Sequence, residues 1–187
     1  ADPQVELVIL ATPHDTHAPM AVAALDAGKH VVTDKVMCLN LGEYEQMRQA
    51  AQRSGRLLTV YHNRRWDGDS LTVRKLLAEG RIGEVRWLEL SWSKFGLWRS
   101  WRGSRARGGG RVYDLGAHLI DQALLLVGKP AVRVHAEIQR EWLDADVESQ
   151  AMITIVFEGG ARAVIDVGCL TRYAKPRFHV VGPNGTF

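Results

Sequence analysis

Three things are scarce in this sequence. Only two cysteines, Cys38 and Cys169, occur in 187 residues. That excludes a disulfide framework and a metal-spaced thiolate cluster, and it suits a reducing cytoplasm. Long apolar runs are missing too: none reaches the ~20 residues needed to cross a bilayer, so no membrane association is expected. The opening ADPQVELVIL has neither a basic stretch nor a cleavage site, so no secretory leader is expected there. Charge of one sign is also weak, at a net +3, which gives no reason to expect a nucleic-acid partner. What remains is ordinary globular composition, 46% hydrophobic and 24% charged, without repeats or low-complexity tracts.

The first sixty-odd residues alternate strand and helix patterns. VELVILAT (5–12) is a continuous apolar run of strand length, as expected of a strand covered on both faces. HAPMAVAALDAG (17–28) reads as an Ala-rich helix stopped by Gly28. HVVTDK (30–35) is the next strand, and RLLTVYHN (56–63) the third. Between them NLGEYEQMRQAAQRSG (40–55) is an amphipathic helix, capped by Asn40 with Glu43 three residues on. Strand, helix and strand in strict succession predict parallel βαβ units, hence an α/β fold.

The second half has a different grammar. After a helix at about 67–79 come EVRWLELSWS (84–93), AVRVHAEI (131–138), SQAMITIVFEGGARAVIDVGC (149–169) and RFHVVGPNGTF (177–187). These alternate apolar and polar residues, with FEGGAR as a turn signal, and predict a mainly antiparallel open sheet with helices on one face. The expected organisation is residues 1–64 as half of a doubly wound, Rossmann-type domain, and 65–187 as an α+β domain. The Gly-x-Gly-x-x-Gly turn that opens a doubly wound domain is absent. The expectation is that a segment carrying it lies upstream, that more sheet follows the C-terminus, and that the chain alone is inactive.

Several constellations could carry chemistry. In DLGAHLID, Asp114, His118 and Asp121 fall at i, i+4 and i+7, one stripe of a helix that is otherwise apolar nearly all round and should be buried. A buried acid–imidazole–acid stripe must be satisfied or open onto a cavity. It fits a structural ion pair, an imidazole acid/base oriented by a carboxylate, or a metal site. LWRSWRGSRARGGGR (97–111) sets Trp98 and Trp101 among five arginines and ends in three consecutive glycines before Arg111. Such a loop suits a phosphate-bearing cofactor, a nucleic-acid strand or plain solvent. The glycines allow close backbone approach to a ligand, or simply flexibility. ATPHDTH (11–17) and the pair Asp34–Lys35 both follow parallel strands, at the sheet edge where open α/β sheets bind ligands.

Taken together, ILATPHDTHAPMAVAALDAGKHVVTDK, HNRRWD, WRGS…GGG and DLGAHLID resemble the Gfo/Idh/MocA family, the glucose–fructose oxidoreductase and inositol dehydrogenase group, in the same order and approximate spacing. The resemblance implies an NAD- or NADP-binding Rossmann domain and hydride transfer to or from a hydroxyl-bearing carbon of a sugar or polyol. It implies Lys35, Asp114 and His118 as catalytic residues. Thr12, Pro13, His14, His17, Asp34 and Lys35 would border the cofactor, with Trp98 and Arg99 arriving from the second domain. No resident metal is implied. It also implies a homo-oligomer paired through the C-terminal sheet, whose exposed face would otherwise be a liability. Two family positions differ: Asp34 stands for a glutamate, and Val36 for a proline, where valine favours a trans peptide bond. The alternative readings are a non-catalytic dimeric ligand-binding module and a metal-dependent hydrolase using Asp114, His118 and Asp121.

Overall fold

The computed structural model describes residues 2–96, 98, 100–141 and 145–187. They divide into two compact units, one of residues 1–62 with 100–109, the other of residues 63–99 with 110–187.

In the first unit three strands, β1 (Leu7–Leu10), β2 (His30–Asp34) and β3 (Leu58–Tyr61), pair in parallel in that order. Their crossovers are α1 (His17–Asp26) and α2 (Leu41–Ser54). Right-handed crossovers in one direction along a sheet put both helices on the same face. Leu10, Ala18, Ala21, Leu25, Val31, Met47 and Ala50 are buried there. The small residues of α1 let α2 approach closely. The helices of this chain therefore cover one face of β1. Leu7 and Ile9 point to the side without helices and are 46% and 69% exposed.

Helix α2 starts where the sequence signal puts it. The Asn40 side chain accepts the Glu43 N–H at 2.9 Å, and the Glu43 carboxylate accepts the Leu39 N–H at 2.7 Å. Two N-terminal donors are thereby satisfied reciprocally.

The second unit holds a six-stranded sheet built from β4 (Trp87–Ser93), β5 (Ala131–Gln139), β6 (Gln150–Phe157), β7 (Arg162–Gly168), β8 (Phe178–Gly182) and β9 (Gly185–Thr186). The order is β5-β6-β7-β4-β8-β9; β4 and β7 are parallel and every other neighbouring pair is antiparallel. The β6–β7 turn passes through Gly159 and Gly160 at φ 79° and 86°, a region closed to most side chains. Two helices, α3 (Gly68–Ala78) and α4 (Ala117–Val127), belong to this unit. Val73, Leu119, Ala123 and Leu126 from the helices share one core with Leu88, Leu90, Ile153, Ile155, Phe157, Ile165 and Val180 from the strands. Burial of α4 is one-sided rather than complete, against the sequence expectation. Leu124 and Leu125 are 44% and 41% exposed on the face turned from the sheet.

Removing the cap at Asn40 isolates a local contribution to the first unit. Asn40→Ala is expected to cost about 1 kcal/mol, and Asn40→Asp, which keeps the acceptor, to recover most of it. Urea unfolding of the full-length protein checks this; equal stability of all three forms would contradict the cap's role.

Candidate active site

Parallel pairing puts the carboxyl ends of β1 and β2 side by side, with Leu10 opposite Thr33. The ends of these strands and the segments that follow them carry six of the residues singled out from sequence. Thr16 Oγ donates to the Pro13 carbonyl at 2.7 Å, and its oxygen lies 2.6 Å from Thr12 Oγ. A hydroxyl has one proton, so Thr12 is the donor to Thr16. This closes the turn between β1 and α1 and holds Thr12 and Pro13 half-buried at the strand end. Asp34 ends β2, and its carboxylate accepts the Lys35 N–H at 2.8 Å. Lys35 is half-buried. The Lys35–Val36 peptide bond is cis, contrary to the trans geometry expected of valine at that position.

The two histidines turn inward. His14 is buried, with Nδ1 2.7 Å from the Gly108 carbonyl and its ring edge-on to Trp101 at 4.7 Å. His17 is fully buried, with Nδ1 2.7 Å from Val36 O and Nε2 3.0 Å from Thr12 O. Both rings lie against backbone carbonyls of their own unit, at the strand end where the sequence places them.

The basic loop 100–109 is folded onto this strand end rather than left open. Trp101 meets His14, Arg102 stacks over Trp101 at 4.5 Å, and Arg107 pairs with Asp15 at 3.3 Å. A Cβ on Gly109 would lie 2.3 Å from the Arg102 carbonyl oxygen, so Gly109 is needed for the loop to close on itself. Its small size serves the chain's own backbone.

In the second unit a π-type turn, Val112–Gly116, leads into α4. Asp114 lies in that turn and His118 in the first turn of α4; both are buried. The His118 ring sits 6.1 Å from the Trp92 ring at a tilt of 33°. The Glu148 carboxylate accepts the Val112 N–H at 2.6 Å, tying down the turn that carries Asp114. Arg111 is buried, donates to the carbonyls of Lys94 and Gly96 at 3.2 and 2.9 Å, and stacks on Trp98 at 4.0 Å. Burial pushes the Arg111 guanidinium below its ordinary pKa, opposed by Cys169, Asp114 and Glu148 nearby. Arg99 lies outside the described residues.

Asp121, one turn further along α4, is engaged by an arginine of the 63–66 turn. Its two oxygens take a fork from Arg65 at 2.7 and 2.5 Å. The neighbouring Gln122 donates to Arg64 O at 2.8 Å. These bonds fasten the 63–66 turn to α4 and use Asp121, so the metal-dependent hydrolase reading loses its third ligand. Sequence reasoning missed Glu148 and Trp92, whose importance comes from partners remote in the chain, and held Arg111 only as one of the five arginines of 97–111. Arg65 was visible only as part of HNRRWD.

Residues 1–62 match the oxidoreductase family with an NAD-binding Rossmann fold, and residues 70–187 match the GFO/IDH/MocA C-terminal domain. The chain belongs to the Gfo/Idh/MocA family of oxidoreductases. A family relative is scyllo-inositol 2-dehydrogenase (NADP(+)) IolW of Bacillus subtilis, 37% identical over all of this chain and 52% of its own length. An NAD-binding protein from Listeria innocua has a crystal structure that superposes with a TM-score of 0.94 at 37% identity, covering 100% of this chain and 53% of that one. GenD2 from gentamicin A biosynthesis, solved in complex with NAD, gives 0.87 at 30% identity, over 99% and 54%. The chain thus spans about half the length of the relatives it matches. No helix among the described residues is long and apolar enough to cross a membrane.

The two thiols give a direct check on these surroundings. Cys169 is 2% exposed, donates to Ser149 O at 3.1 Å, and is pushed above its ordinary pKa by burial, with Arg111 opposing. Cys38 is raised mainly by burial, and further by Glu43. The thiolate is the nucleophile, so a raised pKa means slower reaction at a given pH. At pH 8 both should alkylate with iodoacetamide more slowly in the folded full-length protein than in urea, Cys169 the slower. Equal rates in the two states would contradict this packing.

Proposed function

We propose that the protein containing this chain is an NAD(P)-dependent oxidoreductase that moves hydride between the nicotinamide and a hydroxyl-bearing carbon of a sugar or polyol. The observation that carries the reading is a lysine directly after β2, at the carboxyl edge of a parallel sheet, in a chain whose first 62 residues match an NAD-binding Rossmann fold. That edge is where open α/β sheets receive ligands. Half-buried Thr12, Pro13, Asp34 and Lys35 fit a cofactor there, offering a short polar rim rather than a packed apolar surface. Trp98 and Arg99 are assigned to the cofactor by family resemblance. NAD(P), when bound, supplies the hydride acceptor or donor.

Each residue has a separate task. Oxidising an alcohol requires a proton to leave the hydroxyl as hydride leaves the carbon. His118 is assigned that proton, because an imidazole accepts and releases protons near neutral pH. Asp114, four residues earlier in the π-type turn that leads into α4, is assigned to orient the ring and stabilise its charged form. Lys35 donates a hydrogen bond to the substrate oxygen and stabilises alkoxide charge as it develops. Free, mostly buried thiols suit a cytoplasmic location. Exposed Val132, Val134 and Ile138 on β5 support self-association through the six-stranded sheet.

A polyol and sugar panel assayed with NAD⁺ and NADP⁺ on the full-length protein tests the reading. Lys35→Ala is expected to lower kcat by roughly 10²–10³-fold with cofactor binding retained, and His118→Asn by roughly 10²–10⁴-fold. Full turnover in Lys35→Ala removes the lysine from the mechanism. Binding of neither cofactor removes the function itself.

A further inference from the structure

His17 opens α1 but spends its side chain on the sheet. Its ring is completely buried, and both nitrogens meet backbone carbonyls, Val36 O at 2.7 Å and Thr12 O at 3.0 Å. Burying an imidazole is costly unless its polar atoms are satisfied, and a buried carbonyl needs a donor of its own. One side chain meets both requirements. The choice of carbonyls is what distinguishes it from an ordinary satisfied core histidine. The paired register of β1 and β2 stops at Leu10 and Thr33, beyond which the strands diverge into separate loops. Thr12 lies just past the end of the first strand, and Val36 just past the second and next to Lys35. The ring spans the gap where the ladder has ended.

We propose that His17 is the positioning residue for Lys35: its imidazole replaces the missing strand pairing and sets the backbone from which the lysine projects. The proposal rests on the reading of Lys35 as catalytic. The helix supplies the anchor, since Ala18, Ala21 and Leu25 hold α1 in the core and fix the origin of the His17 side chain. The Nδ1 bond sets Val36 directly, while the Nε2 bond sets the neighbouring loop. A carbonyl only accepts, so the ring donates to both only when each nitrogen carries hydrogen; with one hydrogen it holds one of the two. Loss of the Nδ1 bond frees the segment carrying Lys35, and a displacement of about 1 Å at a catalytic group costs on the order of 10²-fold in rate.

The two nitrogens can be tested separately, because an asparagine amide nitrogen occupies the place of Nδ1 and a glutamine amide nitrogen that of Nε2. His17→Asn, His17→Gln and Lys35→Ala are made in the full-length protein and compared for kcat, cofactor KM and thermal midpoint. His17→Asn, which keeps a donor to Val36, is expected to rescue kcat to within about threefold of the parent. His17→Gln, which keeps only Thr12, is expected to lose about 10–100-fold in kcat with little change in cofactor KM. A purely structural histidine would give the two variants equal kcat; that result, with Lys35→Ala inactive, overturns the positioning role and leaves the catalytic reading intact. An active Lys35→Ala overturns the catalytic reading instead. Should His17→Gln not fold, hydrogen exchange across residues 35–39 of His17→Asn decides: parent-like protection supports the proposal, and faster exchange overturns it.

Discussion

The parallel ladder between β1 and β2 pairs Leu7 with His30 and carries that register to Leu10 and Thr33. Because the strands run the same way, both loops that leave them start from one edge. An antiparallel pair would have sent the segments carrying Thr12 and Lys35 to opposite ends of the sheet. Parallel pairing also demands a crossover, and α1 supplies it with small residues where it meets α2. Its first residue, His17, then sets a ring nitrogen within hydrogen-bond distance of a carbonyl from each loop. Strand direction, helix composition and loop geometry thus form one dependent series in the first unit.

The second unit reaches a comparable result by another route. The π-type turn carries Asp114 and the first turn of α4 carries His118, and the surrounding polar groups are chiefly fasteners. Arg65 with Asp121 and Gln122 with Arg64 O fix the 63–66 turn to the helix, while Glu148 accepts the Val112 N–H. Arg111 is the costly member: a guanidinium in the interior pays a desolvation penalty that its carbonyl partners and Trp98 offset. Such groups add little net stability. They do restrict where the turn can sit, because a displaced turn leaves buried donors without acceptors.

Loop 100–109 shows how residue type underdetermines role. Tryptophan, arginines and a glycine run have the composition of a phosphate-binding loop, and that composition is what the sequence displays. The same residues also suit a loop closing on its own strand edge. Aromatic faces attract guanidinium groups whether or not a ligand is present, and glycine admits close backbone approach whether the neighbour is a ligand or Arg102 O.

Local signals in the sequence were sufficient for most of the elements. Periodicity, the Asn40–Glu43 cap and the double glycine after Phe157 specify helices, strands and the β6–β7 turn, because each depends on residues within a few positions of one another. The family was legible too, since its motifs are short runs in a set order. Side-chain partners were not. His17 finds Val36 nineteen residues away, Arg65 finds Asp121 at fifty-six, and His14 finds Gly108 at ninety-four. Residue types and their local spacing determined the elements and the chemistry available. Only the tertiary structure decided which groups spend that chemistry on holding the chain together, because hydrogen bonding at a buried site is settled by whatever the fold brings within 3 Å.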